Sequence, residues 1–189
     1  MQPFASVVVI VVALSTAFAQ TSTPHSLTGE LAALHLQTAL LFPSQGVDEF
    51  PVWSPDSRYL AANVQGKWFK LEISTVQLQE AKWHGKPIGV VKTNQKFAQA
   101  TDAEIAEWLK AAKEQRSVVS SSGITVELSQ HELSTSLVLS RGKDRKTLWK
   151  TDLENCGGLQ LSPDGRYVAF ICETNGVFAM DVDAAFAIK

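Results

Sequence analysis

Only two cysteines, Cys156 and Cys172, occur among the 189 residues. Two thiolates are too few for a structural zinc site, which needs about four ligands. An excess of either charge is missing as well. Lys and Arg number 17 against 19 Asp and Glu, a formal net charge of −2, which excludes the basic footprint of a nucleic-acid partner. Catalytic signatures are absent too: there is no Gly-x-Ser-x-Gly elbow, phosphate-cradling glycine loop, His-Glu-x-x-His or Cys-x-x-Cys. The four histidines, His25, His35, His84 and His131, are scattered with no two at ligand spacing, and each reads as a surface or capping group. No metal and no cofactor is expected. What remains is a 45% hydrophobic chain long enough to bury the core of one domain.

One long apolar run exists, Phe4 to Leu14, followed by Ala17-Phe18-Ala19 before Gln20. That is the small-x-small form of a signal-peptidase site. No Lys or Arg precedes the run, a departure from the usual leader, and the alternative is an uncleaved anchor. The run is shorter than the roughly 20 residues a span needs. Residues 1–19 therefore read as a signal peptide and 20–189 as a single exported domain, periplasmic or secreted, with no membrane span after cleavage. No Cys stands near the cleavage site, which argues against a lipid anchor.

A short phrase occurs twice: Val-Trp-Ser-Pro-Asp-Ser-Arg-Tyr-Leu-Ala at 52–61 and Gln-Leu-Ser-Pro-Asp-Gly-Arg-Tyr-Val-Ala at 160–169. Its centre has the chemistry of a tight hairpin. Pro55 and Pro163 preset φ, and Asp56 and Asp164 bond nearby amides, beside Ser54 and Ser162. Gly165 supplies a left-handed residue, and Ser57 must do so at some cost. Strand-like segments flank both copies, and a further turn, Gln65-Gly66 or Thr174-Asn175-Gly176, leads each into a third strand. In an exported chain the two cysteines suggest a disulfide. Setting Ser162 opposite Arg166 brings Cys156 opposite Cys172 at a hydrogen-bonded pair, with Cα atoms about 5.5 Å apart. Two buried free thiols are the alternative.

The phrases lie 108 residues apart. Between them, Thr101-Asp102-Ala103-Glu104 has the form of a capping box. Ile105, Trp108, Leu109 and Ala112 then follow helical spacing, predicting an amphipathic helix over about 101–115. Removing the insert 93–116 leaves twice 42 residues. A step of 42 back from Gly165 lands on Gly123, where Ser120-Ser121-Ser122-Gly123 forms an eroded third copy. The repeats then run over about 48–92, 117–150 and 156–183. Gly29 to Leu36 reads as a strand, with a helix as the competing reading, and Ala39 to Phe42 reads as a strand able to close the last unit.

Ser-Pro-Asp-Gly, a basic residue and an aromatic or aliphatic one, at 42-residue spacing, resembles the WD-like repeats of TolB-type β-propellers. The resemblance implies an all-β, propeller-like array of about three to four antiparallel four-stranded blades with one inserted helix. Three to four blades is fewer than most propellers carry, so closure as a very small propeller, an open array, dimerisation or completion of a larger propeller by this subunit are the implied alternatives. In that family the Ser, Pro and Asp of the phrase make the turn, and no active site comes with them.

Trp53, Trp68 and Trp83 recur at 15-residue intervals, with Trp149 in an outer strand. All suit packing between stacked sheets. The functional alternative is the loop Trp83-His84-Gly85-Lys86, with Trp83, His84 and Lys86 as ligand-binding candidates. The expected function is a non-catalytic exported module that binds a protein, peptide or glycan through its loops. The competing class is a hydrolase using loop carboxylates, with Asp48, Glu49 and Glu132 as candidates.

Overall fold

The computed structural model describes residues 26–43, 49–132, 134–152, 155–172 and 176–188. The expected signal peptide, Asp48 and the turn residues Thr174 and Asn175 lie outside them. The chain begins with helix α1 (Leu27–Ala33), followed by β1 (Ala39–Phe42), β2 (Val52–Trp53), β3 (Tyr59–Val64) and β4 (Lys67–Glu72). The hairpin β5 (Leu78–Trp83) and β6 (Lys86–Val91) precedes β7 (Ala98–Gln99) and helix α2 (Asp102–Ala111). Then come β8 (Ser117–Val119), β9 (Thr125–His131), β10 (Ser134–Arg141), β11 (Asp144–Thr151), β12 (Cys156–Leu161), β13 (Tyr167–Cys172), β14 (Gly176–Asp181) and helix α3 (Val182–Ala187).

The fold is mostly β, in three sheets. One is four-stranded in the order β2-β3-β4-β7, one four-stranded in the order β11-β10-β9-β8, and one six-stranded in the order β12-β13-β14-β1-β6-β5. Strand β1 pairs antiparallel with β14, Ala39 opposite Ala179, so an N-terminal strand completes the C-terminal unit. Three expectations fail. Gly29 to Leu36 is not a strand: Ser26 caps α1 by accepting from Gly29 N at 3.1 Å, and Leu27 and Leu31 are buried at i, i+4 spacing. The repeat over 48–92 is not one four-stranded unit either. Its hairpin β5–β6 leaves for the six-stranded sheet, where β6 lies parallel to β1, and β7 from within the supposed insert takes the fourth place beside β4. The predicted helix also stops at Ala111, short of Gln115.

The three sheets stack face to face with the six-stranded one in the middle. In β13, Tyr167 and Ala169 join the core shared with the first sheet, along with Leu60 and Leu71. Val168 and Phe170 join the core shared with the β8–β11 sheet, along with Leu128 and Leu137. Every residue of β14 is buried, as a strand covered on both faces requires. The stack is finished at both ends. On the first sheet, Ile105 and Trp108 of α2 cover Val52 and Ala61. The outer face of the β8–β11 sheet carries Thr125, Glu127, Ser129, Ser136 and Ser140, all half-buried, opposite the inward Val126, Leu128, Leu137 and Leu139. Three stacked sheets do not make a closed propeller.

The repeated turns superimpose in chemistry. Ser54 Oγ donates to Asp56 Oδ1 at 2.6 Å and accepts from Tyr59 N at 2.9 Å. Ser162 donates to Asp164 at 2.5 Å and accepts from Tyr167 N at 2.8 Å. Pro55 and Pro163 occupy the exposed second position of each turn. Ser57 and Gly165 both take positive φ, 60° and 72°. In the eroded copy Ser120 Oγ accepts from Ile124 N and Gly123 has φ 78°. This turn is one residue shorter and omits the arginine. The turns also meet: Asp164 N donates to Ser57 Oγ at 2.9 Å, and Ser121 N donates to Gly165 O at 3.0 Å.

Cys156 and Cys172 are disulfide-bonded, with Cα atoms 4.1 Å apart. The expected hydrogen-bonded pairing is wrong. Ser162 N donates to Tyr167 O, so the register beside the turn is shifted by one, and an irregularity between Gly157 and Gln160 shifts it back. There Gly158 has φ 60° and touches Phe50. Cys156 N instead donates to Thr135 Oγ1 at 3.1 Å. The short Cα separation fits a non-hydrogen-bonded pair.

Candidate functional site

The loop singled out in the sequence is the tight turn of the β5–β6 hairpin. Trp83 faces Lys86 across it, and His84 and Gly85 both take positive φ, 45° and 74°, the requirement of a two-residue hairpin loop that follows strand twist. Its three candidate side chains do not form one surface. Trp83 is only 6% exposed, with its ring 4.9 Å edge-on from Trp149 and 4.7 Å from Phe178. It belongs to the core because strand alternation turns it inward with Ala81. His84 and Lys86 stay exposed.

Lys86 nevertheless lines a cavity of about 220 Å³, together with Thr38, Ile88, Leu148 and Trp149. The cavity arises where the displaced hairpin meets β1. Gly89 N donates to Thr38 O at 3.0 Å, starting the parallel pair, and the end of β11 closes the other side. The segment from α1 reaches this point through His35, whose φ is 55°, and His35, Leu36 and Gln37 add to the wall. Thr38 is 2% exposed and Trp149 6%. Thr38 Oγ1, Trp149 Nε1 and Trp83 Nε1 are all buried without a hydrogen-bond partner among the described residues. Buried indole N–H and hydroxyl groups ordinarily find a partner, and leaving one unmade costs about 1–3 kcal/mol. Among the described residues no carboxylate lines the cavity.

Sequence reasoning found Lys86 but not its partners. Trp149 carried only a packing signal, and nothing in the sequence marks Thr38. The β1–β6 pairing that joins them depends on a hairpin leaving its repeat.

A larger cavity, about 390 Å³, is lined by Phe42, Pro43, Val64, Phe69 and Phe97, with no polar side chain among the described residues that line it. The carboxylates elsewhere hold the fold. Asp56 titrates below its ordinary value because Ser54 donates to it. The Glu72 carboxylate raises Arg58, and hydrogen bonding to Asp181 raises Arg166. Asp181 also accepts from Thr28 Oγ1 at 2.7 Å and caps α3 through Ala184 N. Of the candidate acids, Glu49 accepts from Asn63 Nδ2 at 3.1 Å, and Glu132 is exposed in the β9–β10 turn with φ 55°. Among the described residues no three His, Cys, Asp or Glu side chains gather to hold a metal, and no helix is long and apolar enough to cross a membrane. No family model matches the chain, and no curated protein matches it.

Proposed function

We propose that this chain is an exported, non-catalytic binding module built from WD-like, TolB-type blades, and that it takes its ligand in the cavity beside the β5–β6 loop. One observation carries the reading: Thr38 and Trp149, both buried, line the cavity, and each has a polar side-chain atom without a hydrogen-bond partner among the described residues. Among the described residues the other buried side-chain atom without a partner is Trp83 Nε1, whose ring packs on Trp149, whereas the serines of the Ser54 and Ser162 turns are paired. A binding site is where an unpaired donor has a use. The disulfide agrees with an exported chain.

The test is an amide and indole NMR titration with four panels: small acids, amines, monosaccharides and short peptides. At least one panel is expected to shift the Trp149 indole signal saturably, with Thr38→Val weakening that ligand about tenfold. Silence of the Trp149 signal across all four panels would overturn the reading. Export is tested separately. The secreted chain is expected to begin at Gln20, and retention of residues 1–19 would remove that part of the proposal. Turnover lost in Glu49→Gln or Glu132→Gln would favour the hydrolase instead.

A further inference from the structure

We infer that the cavity between β1, β6 and β11 takes a small ligand with an apolar body and a terminal carboxylate. The inference rests on the binding reading above and adds the ligand's chemistry. The one charged side chain in the wall is a cation. The Lys86 ammonium and the Trp149 indole can only donate, while Thr38, His35 and Gln37 can donate or accept. With no carboxylate among the described residues of the wall, a cationic ligand would meet Lys86 uncompensated. A carboxylate supplies about four acceptor sites and makes charge-assisted bonds, roughly twice as strong as neutral ones.

Leu36, Pro87, Ile88 and Leu148 give the wall an apolar part, which suits a hydrocarbon or aromatic body. At about 220 Å³ the cavity is smaller than the roughly 300–1,000 Å³ of drug-sized sites. It therefore suits a free acid of phenylacetate size or the last side chain and carboxylate of a peptide. Thr38 Oγ1 and Trp149 Nε1 are shut off from bulk water, so ligand contact takes a side-chain adjustment of the kind common at binding surfaces.

The test uses the mature chain with its disulfide intact. Five tryptophans give five indole signals, assigned with Trp149→Phe and Trp83→Phe. The probes are phenylacetate against phenylacetamide, and Gly-Gly-Phe with a free against an amidated terminus. At least one acid is expected to shift the Trp149 signal saturably, at a concentration about tenfold below its amide. Phenylacetate alone would identify a free small acid; the peptide alone would identify a chain terminus. Lys86→Met, at an exposed position, should weaken the acid about tenfold and abolish the preference over the amide. Thr38→Val should weaken both acid and amide. Equal binding of acid and amide would overturn the carboxylate assignment and leave the binding reading standing. An acid preference unchanged in Lys86→Met would also overturn it. No Trp149 shift up to about 10 mM of either acid overturns the inference; silence of the wider panels as well removes both.

Discussion

The third residue after each turn serine decides how the repeats sit against one another. Gly165 has φ 72°, and a Cβ there would lie 2.8 Å from both Ser121 Cβ and Ser121 N. Gly123 has φ 78° but open space around it. Gly165→Ala therefore incurs left-handed strain of about 1–2 kcal/mol plus overpacking of about 1–3 kcal/mol, whereas Gly123→Ala incurs the strain alone. Urea unfolding should rank Gly165→Ala below Gly123→Ala by at least about 1 kcal/mol. Equal losses would mean that the turn-to-turn contact carries no load. The turn chemistry was legible because Ser, Pro, Asp and Gly act locally. The Cys156–Cys172 pairing was also legible, but for an incomplete reason. The register slipped at Tyr167 and was restored between Gly157 and Gln160, where Gly158 takes φ 60° and a Cβ would collide with Phe50. Trp83 shows the opposite limit, since a loop-edge residue is inside or outside according to what the hairpin packs on.

At the level of elements, α2 is clipped to the first sheet by one carboxylate. Glu104 Oε2 accepts from Thr101 N at 2.9 Å in the capping box, and Oε1 meets Lys70 Nζ at 2.5 Å. Principally through Lys70, its pKa is lowered from 4.5 to about 2. A carboxyl depressed on folding stabilises fully above its unfolded value and loses that contribution as pH falls. Stability should therefore drop between pH 4.5 and about 2. The side chain is 35% exposed, so solvent screening holds the contribution to about 1 kcal/mol or less. Glu104→Gln should be less stable at neutral pH and show a flatter acid limb in urea midpoints; an unchanged limb would show that other carboxyls carry it. This helix was legible because its cap and stripe lie within twelve residues. Helix α1 was not, because Gly29 to Leu36 offers Leu31 to either pattern, and Ser26 with Leu27, just outside that window, decides it. Nor was the departure of β5–β6 legible: Leu78, Ala81 and Trp83 suit an outer blade strand as well as an added pair, and only β1's parallel contact distinguishes them.

For the whole molecule, the repeat count implied three or four blades and left open whether they form a ring, a stack or part of a larger assembly. A stack is stable only if its two outer faces are dealt with, because an uncovered apolar face or strand edge recruits a partner. Here one outer face carries α2, with Trp108 stacked on Tyr59 at 6.4 Å, and the other is rich in hydroxyls, with Val119 its one strongly exposed large apolar residue at 58% among those described. Such ends argue for a self-contained monomer and against a subunit awaiting further blades. Sedimentation velocity over a wide concentration range should give one species of single-chain mass; a concentration-dependent dimer or larger ring would restore the assembly reading. Trp108→Ala probes the cap directly. It should lower stability by about 3–5 kcal/mol and, by uncovering Val52 and Ala61, introduce reversible self-association in whatever fraction remains folded. A variant that loses stability yet stays monomeric while folded would show that the helix fills space without guarding the sheet.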